Sequence, residues 1–299
     1  MWFKTGIAIR KLIFFITTVI YFTSCVDTIP LPDEAGERKL FVICEMTDGE
    51  NIYADINFTG NTIGELFPSA LIKPDTFNFA IAEGDKDFGV PFIFETNEKR
   101  FIIKKQSLPL SVGEKYKFRG IGANKNSSEP SVIIPEFLKF DTIIIERVSR
   151  NIIQNKFITE VDCRIKVKKP QTFPAYFHIV PKTENKGDWT IKNLVKDQSA
   201  FKILKHRPGV LVDYSRLTND EIVLTLEVSE ENETKSVELD IFNTTLSYYQ
   251  YNYYISNVTS DSYGRNNEIP AIAGLNIKTD KAYGTFSAKT LSKLNANIK

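Results

Sequence analysis

The sequence carries almost no excess of charge of either sign and few residues of the types that perform metal or thiol chemistry. Its 299 residues include 38 basic and 37 acidic side chains, for a formal net charge of +1, with only 2 histidines and 3 cysteines. A chain so close to neutrality has no strong field to draw it onto nucleic acid or an anionic membrane. We therefore expect no nucleic-acid partner, and any attachment to lipid must have another cause.

Motifs that carry chemistry are absent from the sequence as well. His178 and His206 lack a second histidine three or four positions away, and there is no H-E-x-x-H, C-x-x-C or G-x-S-x-G. Gly120 and Gly122 form a lone G-x-G without the third glycine of a nucleotide-binding loop. The segment 85–89 places its glycine one position too early for a calcium loop. We predict no catalytic residues, no cofactor and no metal site, and expect that the protein is not an enzyme.

What the sequence does contain is the composition of a folded protein behind an export signal. Hydrophobic residues make up 42% of the chain, with 22 Phe and 12 Tyr, which is incompatible with general disorder. Basic residues at Lys4, Arg10 and Lys11 precede the apolar run Leu12–Phe22. That run is shorter than the roughly 20 residues of a membrane-spanning helix, and it is typical of a signal peptide.

The signal ends in Phe22-Thr23-Ser24-Cys25, which resembles a lipobox. The resemblance implies that residues 1–24 are removed and that Cys25 becomes the lipid-bearing N-terminus, since several acyl chains hold a soluble domain on a bilayer. Val26 follows the cysteine, where an Asp would favour retention in the inner membrane. We therefore expect lipid anchoring at the outer membrane, with residues 25–38 as an acidic, proline-containing tether. An ordinary secretory signal with a chance cysteine, or an uncleaved anchor, remains the alternative.

The sequence after residue 38 predicts an all-β protein. The apolar run Lys39–Met46 is typical of a buried strand, and Asp48-Gly49 indicates a turn into a second, alternating strand at Asn51–Phe58. Further strands are predicted around Phe77–Ile81, Phe92–Phe94, Phe101–Ile103, Tyr116–Phe118 and Val132–Ile134. Short strands separated by Gly, Pro, Asn and Asp are typical of a sandwich, and we predict an immunoglobulin-like β-sandwich over residues 39–138.

A second sheet-rich domain is predicted over residues 139–299. Apolar and polar residues alternate through Phe157–Lys168, which predicts a long strand with one buried and one mainly wet face. Ile222–Val228 and Val237–Ile241 repeat this pattern on either side of a polar turn. The three cysteines leave Cys44 and Cys163 after lipidation of Cys25, and we interpret these two as separately buried thiols, although pairing stays open.

One segment of the second domain has helical periodicity instead. Five tyrosines fall in residues 246–258, where Tyr248, Tyr251 and Ile255 share one stripe of a helix. Tyr248 and Tyr251 are candidate ligand contacts, as an aromatic platform for sugar rings. The alternative, which we favour, is a helix packed on the core with its phenol hydroxyls at the edge.

The C-terminal third resembles the Bacteroidetes outer-membrane lipoprotein family catalogued as domain of unknown function 4249. The features that carry this resemblance are Leu246-Ser247 before the tyrosine-rich helix, Glu268-Ile269-Pro270, Asn276-Ile277, and Gly284 with Phe286. The N-terminal region also resembles this family, through the lipobox cysteine, the tether and the strand that ends at Thr47-Asp48-Gly49. Departures are Ile269, which separates Glu from Pro, and a missing second glycine in residues 283–286. The resemblance implies a two-domain β lipoprotein often encoded beside TonB-dependent transporters, and it transfers no functional residues.

Three functions follow as hypotheses. The first is a surface-facing accessory of a TonB-dependent transporter in nutrient uptake, motivated by the lipobox and the resemblance. The second is a free-standing glycan- or matrix-binding module, motivated by the immunoglobulin-like region and the tyrosines. The third, ranked last, is a hydrolase with dispersed carboxylates, for which the sequence contains no motif.

Overall fold

Strands make up most of the regular structure in this computed structural model. It describes residues 40–58, 79–86, 88–120, 129–168, 175–184, 187–194, 198–217, 220–258, 275–278 and 282–298. The predicted signal segment, Cys25 and the tether lie outside these residues.

The strands and helices have the following bounds. The strands are β1 (Leu40–Thr47), β2 (Ile52–Phe58), β3 (Phe79–Glu83), β4 (Val90–Pro91), β5 (Ile93–Glu95), β6 (Arg100–Ile103), β7 (Lys115–Gly120), β8 (Ser131–Ile133), β9 (Phe140–Ile153), β10 (Lys156–Val167), β11 (Tyr176–Lys182), β12 (Thr190–Leu194), β13 (Phe201–Ile203), β14 (Val210–Asp213), β15 (Glu221–Glu230), β16 (Ser236–Thr244), β17 (Ile277–Lys278) and β18 (Ala282–Asn297). Helix α1 spans Leu246–Val258, and single 3-10 turns span Gln198–Ala200 and Tyr214–Arg216. Within the described ranges, no helix has the length and apolar character needed to cross a bilayer.

One sheet of ten strands runs through the whole described structure, in the order β13-β14-β11-β16-β18-β1-β2-β6-β5, with β17 added beside β18. The strand that makes it continuous is β18. Its first half pairs in parallel with β1, from Ala282 opposite Leu40 to Lys289 opposite Thr47. Its second half pairs antiparallel with β16, out to Asn297 opposite Ser236. The last described strand therefore lies beside the first described strand.

The first core lies between the β1-β2-β6-β5 end of this sheet and a second sheet of order β4-β3-β7-β8. Alternate residues of β1 face inward, so that Val42, Cys44 and Met46 are buried. The aromatic rings of Phe79 and Phe101 pack edge to face with centroids 4.9 Å apart. The prediction of an all-β fold that begins with a β-sandwich is confirmed.

The second core lies between the β13-β14-β11-β16-β18 end of the long sheet and a third sheet of order β12-β15-β10-β9. Strand β10 alternates as the sequence predicts, with Val161, Cys163, Ile165 and Val167 buried and the residues between them more exposed. Its partners are β15 on one side and β9 on the other. The strands predicted at 222–228 and 237–241 lie in different sheets, because the turn between them crosses from one layer to the other.

The two cores meet near the predicted boundary at residue 138, but they do not divide the chain into two consecutive pieces. Ile134 belongs to the first core and Leu138 to the second. Ile277, Phe286 and Ala288, which the sequence analysis assigned to the second region, complete the first core. The physical reason is the parallel pairing of β18 with β1, a contact between strands about 240 residues apart that no local pattern specifies.

Most of the predicted elements are confirmed, including a helix with the predicted bounds Leu246–Val258. The sequence analysis missed β9 because its alternation breaks at Glu146. There the pairing with β10 shifts by one residue, so that Asp162 is opposite Arg147 and Cys163 is opposite Ile145. A bulge of this kind interrupts the period of two on which strand prediction depends.

Candidate functional site

A polar cluster lies on the outer face of the long sheet, beneath helix α1. Glu45 comes from β1, Lys289 from β18, His178 from β11 and Tyr248 from α1, while Arg207 comes from the loop before β14. Because neighbours along a strand point to opposite faces, burial of Cys44 and Phe177 in the cores places Glu45 and His178 on this side.

Glu45 is held by two cations. Its carboxylate accepts from Arg207 Nη2 at 3.3 Å and from Lys289 Nζ at 3.4 Å. The side chains of Glu45, Arg207 and Lys289 are 21%, 31% and 15% exposed. Burial acts to raise the pKa of Glu45, but the charges and hydrogen bonds of Lys289 and Arg207 outweigh it and hold the pKa below its ordinary value. The carboxylate therefore stays ionised between its two partners.

Tyr248 extends this ion pair to a buried histidine. Arg207 Nη1 donates to Tyr248 Oη at 3.0 Å, and Tyr248 Oη lies 2.8 Å from His178 Nδ1. His178 Nε2 lies 2.9 Å from the carbonyl oxygen of Pro208, which can only accept, so Nε2 carries the proton. Nδ1 is then the acceptor, and the Tyr248 hydroxyl donates to it.

This arrangement favours neutral His178. Burial lowers the pKa of His178 to about 4, since the Pro208 carbonyl supports the charged form less than desolvation opposes it. A second proton on Nδ1 would face a hydroxyl that already donates there and already accepts from Arg207. Burial likewise raises the pKa of Tyr248 above its ordinary value. The hydrogen bonds that run from Glu45 through Arg207, Tyr248 and His178 to Pro208 are therefore all formed when the imidazole carries one proton.

His206 forms a second, smaller group at the same end of the helix. Its Nδ1 lies 3.0 Å from Ser256 Oγ, and its Nε2 lies 2.9 Å from Asn252 Oδ1. Asn252 in turn donates from Nδ2 to the carbonyl oxygen of Tyr248 at 2.9 Å. Partial burial lowers the pKa of His206. Both ring nitrogens of both histidines are thus engaged within the protein, and the described ranges hold no group of three or more His, Cys, Asp or Glu arranged for a metal.

The tyrosines predicted as ligand contacts lie inside the fold. Tyr248 is 1% exposed and Tyr251 is 8% exposed, so neither presents a ring face for stacking on a sugar. Burial also raises the pKa of Tyr251 to about 12. Tyr253, which is 41% exposed, stacks instead on Tyr249 at 5.9 Å and has the Lys202 ammonium over its ring. The structure favours the interpretation of α1 as a helix packed on the core.

The sequence analysis missed Glu45, Arg207 and Lys289. One signal was present, because Glu45 is a charged residue inside an apolar run that predicts a buried strand, and an acid in such a place needs a partner. Nothing local identifies Arg207 as that partner, since 162 positions separate the two residues. Chemically, the cluster offers one carboxylate neutralised by two cations, and it joins β1 of the first core to the loop and helix of the second.

The residues that carry the family resemblance converge on the peptide groups of Phe286. Asn276 Nδ2 donates to the Phe286 carbonyl oxygen at 2.8 Å, and Asn276 Oδ1 accepts from the Phe286 backbone N–H at 2.7 Å. Ser247 Oγ donates to the same carbonyl at 2.9 Å. These short motifs therefore anchor α1 and β18 to each other. Glu268-Ile269-Pro270 lies outside the described residues.

The remaining cysteines are two separate thiols. Cys44 in the first core and Cys163 in the second are both free and buried. Burial raises the pKa of Cys163 to about 12, and it raises the pKa of Cys44 well above its ordinary value.

The segment 85–89 was compared with a calcium loop in the sequence analysis. Its Asp85 carboxylate forms an ion pair with Lys117 at 2.5 Å and is engaged within the protein.

Fold and site together define an all-β protein in which two sandwiches share one sheet, stabilised by a polar cluster under a single described helix. No protein-family profile matches the chain, and no curated protein matches it. Among solved structures, it is similar to the full-length major pilin SpaD from Corynebacterium diphtheriae, at 10% identity, with 87% of this chain and 67% of the pilin covered and a TM-score of 0.25. A likeness at this level carries no argument about function.

Proposed function

We propose that this chain is a lipoprotein of the bacterial outer membrane, anchored through Cys25 and facing the cell surface, where it is a non-enzymatic accessory of a TonB-dependent transporter in nutrient uptake. The observation that carries the proposal is the register of the N-terminal signal. A basic segment, an apolar run of signal-peptide length and Thr23-Ser24 lead directly to Cys25. The resemblance of the C-terminal third supplies the transporter as partner.

The other two cysteines support the assignment of Cys25. The chain has 3 cysteines, and Cys44 and Cys163 are both buried with their thiols packed in separate cores. A buried thiol with a raised pKa is a poor nucleophile and a poor substrate for modification. Cys25 is therefore the cysteine that remains for lipid.

The polar cluster supports a structural rather than a catalytic use of the charged residues beneath α1. Glu45 is bound by Arg207 and Lys289, and the nitrogens of His178 are both in hydrogen bonds. A general base or nucleophile needs a free position toward a substrate. Groups that satisfy one another in this way favour a rigid scaffold that presents a binding surface.

Labelling with palmitate tests the anchor. The variant Cys25→Ala is expected to lose the label and to leave the membrane fraction, while the matched variant Cys163→Ala keeps both. Retention of label and membrane association by Cys25→Ala would contradict the proposal.

Two further measurements test the orientation and the partner. Protease added to intact cells should degrade the wild-type protein, whereas an inward-facing protein would be protected. A tagged chain extracted in mild detergent should recover a TonB-dependent transporter, and the Cys25→Ala variant should recover less of it. If no transporter is recovered from wild-type cells, the proposed accessory role is wrong. The proposed lipid anchor is a separate claim, and the palmitate labelling decides it.

A further inference from the structure

In the described part of the chain, strand β9 is an edge of the third sheet. It lies at one end of the order β12-β15-β10-β9, and among the described strands only β10 pairs with it. Three of the exposed large hydrophobic residues lie on this strand, with Ile144 at 44%, Ile152 at 68% and Ile153 at 55% exposure. A long edge that combines unpaired backbone groups with exposed isoleucines is a template for pairing with another strand.

The turn that ends β9 determines which backbone groups face outward. Gln154 and Asn155 both have positive φ, at 52° and 63°, as in the two-residue turns that join adjacent strands. Ile153 and Lys156 flank this turn as partners in the ladder. In a hairpin with a two-residue turn the flanking residues form a hydrogen-bonded pair. Because such pairs alternate along the ladder, Ser149 and Asn151 direct their backbone groups toward β10. Val148, Arg150 and Ile152 direct theirs toward the open edge.

We infer that β9 pairs antiparallel with β9 of a second copy of this chain, about a two-fold axis at Ser149. In this register Val148 of each copy lies opposite Arg150 of the other, and both present the outward backbone groups that a ladder requires. Arg147 lies opposite Asn151, so no two like charges face each other. The third sheets of the two copies then form one continuous sheet of eight strands.

The exposed isoleucines support this register. Glu146 is the extra residue of the bulge and has no partner in the ladder, so it is skipped in the count. Ile144 of one copy then lies opposite Ile153 of the other on the outer face of the sheet. Ile145 lies opposite Ile152 on the inner face, where Ile145 already packs against the second core. Each isoleucine that is exposed on the single chain thereby gains an apolar partner.

Neighbouring registers are less favourable. An axis at Arg147 would place the two Arg147 side chains directly opposite each other, which destabilises a strand pair. An axis at Val148 would place Ile144 opposite Asn151 and Ile153 opposite Thr142, so that neither isoleucine of the outer face gains an apolar partner. The axis at Ser149 is the one that pairs the apolar ends of the strand and separates the arginines.

A cysteine at the axis tests the inference directly. Two residues on the axis in a pair that is not hydrogen-bonded have Cα atoms about 4.5 Å apart, within the range of a disulfide. Ser149→Cys in the full-length protein should therefore give a covalent dimer on mild oxidation. Asn151→Cys is the matched control, since it lies on the same face but about 13 Å from its counterpart in the other copy. Its yield of covalent dimer should be several-fold lower than that of Ser149→Cys. The parent, the chain with no added cysteine, gives the yield that the native cysteines produce by themselves.

Mass measurement in detergent provides a second test. The parent should have the mass of two chains, and the double variant Ile152→Lys with Ile153→Lys should have the mass of one. Ile93→Lys, at a site 65% exposed on the edge of the long sheet, should leave the dimer intact. Equal crosslinking of Ser149→Cys and Asn151→Cys, or a parent of single-chain mass, would overturn the inference. If the parent has the mass of one chain, vesicle binding is measured in the Cys25→Ala background, which lacks the proposed lipid anchor. Binding there that the lysine pair abolishes would place these isoleucines against a membrane instead.

Discussion

Glu45 on β1 and Arg207 in a loop of the second sandwich form an ion pair with an N–O distance of 3.3 Å, although 162 positions separate them in the sequence. Lys289 approaches the same carboxylate at 3.4 Å from the last strand of the chain. Three distant parts of the sequence thus meet at one carboxylate beneath α1. A group with this position should influence the stability of the whole described fold rather than that of one strand.

Replacing Glu45 by Gln should destabilise the protein by about 2–3 kcal/mol, because Arg207 and Lys289 then lose their counter-charge in a largely buried place. The matched control is Asp55→Asn, which breaks the more exposed Arg100–Asp55 pair at 33% and 46% side-chain exposure. That change should cost less than about 1 kcal/mol. Urea denaturation of both variants measures the difference, and equal losses would show that Glu45 has no special role.

Stability should fall between pH 6.5 and about pH 4 because of His178. Its pKa is about 4 in the folded protein, against an ordinary value of 6.5. The unfolded chain binds a proton in this window that the folded chain does not, so the contribution is complete above pH 6.5 and lost as the pH falls. A difference of this size corresponds to about 3 kcal/mol.

His178→Gln should therefore have a smaller loss of stability between pH 7 and pH 4.5 than the wild type in urea titrations. His206→Gln is the control, since the more exposed His206 should contribute less to the slope. Glu45, whose pKa is lowered, adds a loss at more acidic pH, below its ordinary value of 4.5. An unchanged slope in His178→Gln would mean that the imidazole titrates normally.

The two buried tyrosines of α1 should behave as core residues. Tyr248→Ala should cost ~3–5 kcal/mol, as expected for loss of a large buried ring. Tyr248→Phe should cost ~1–3 kcal/mol, because His178 Nδ1 and Arg207 Nη1 lose a partner. Tyr253→Ala, at 41% exposure, should cost less than ~1 kcal/mol. Thermal unfolding followed by circular dichroism ranks the three variants. A Tyr248→Ala protein that is as stable as the wild type but no longer binds a glycan would reverse this interpretation.

Gly284 should tolerate no side chain. A Cβ atom there would lie 1.9 Å from the carbonyl oxygen of Val42, its partner in the parallel pairing of β18 with β1. Gly284→Ala should destabilise the protein by at least ~3 kcal/mol, because backbone rather than a flexible side chain would have to move. Thr285→Ala, one residue along the strand, removes atoms instead of adding them and should cost about 1 kcal/mol. Similar unfolding temperatures for the two variants would show that the strands can separate without cost.

Local pattern accounts well for several elements of this protein. The alternation of Phe157–Lys168 specifies a strand with one buried face wherever that strand is placed, because side chains point alternately to the two sides of any sheet. The bounds of α1 follow from a change of period at residue 246. The buried state of Cys163 follows from its place on the apolar face of β10. Each of these inferences depends on residues within a few positions of one another.

Pairing between distant segments has no such local signal. Nothing near Leu40 indicates that β1 will lie parallel to β18, or that Phe286 will complete a core begun by Val42 and Met46. The same holds for Arg207 as partner of Glu45. Their proximity depends on how two sandwiches come to share a sheet, and it is selected by the packing of the entire chain. Strand and helix patterns, and the export signal, can thus be read residue by residue from the amino acids. The shared sheet, the cluster beneath α1 and the open edge of β9 exist because contacts far apart in the chain are satisfied together.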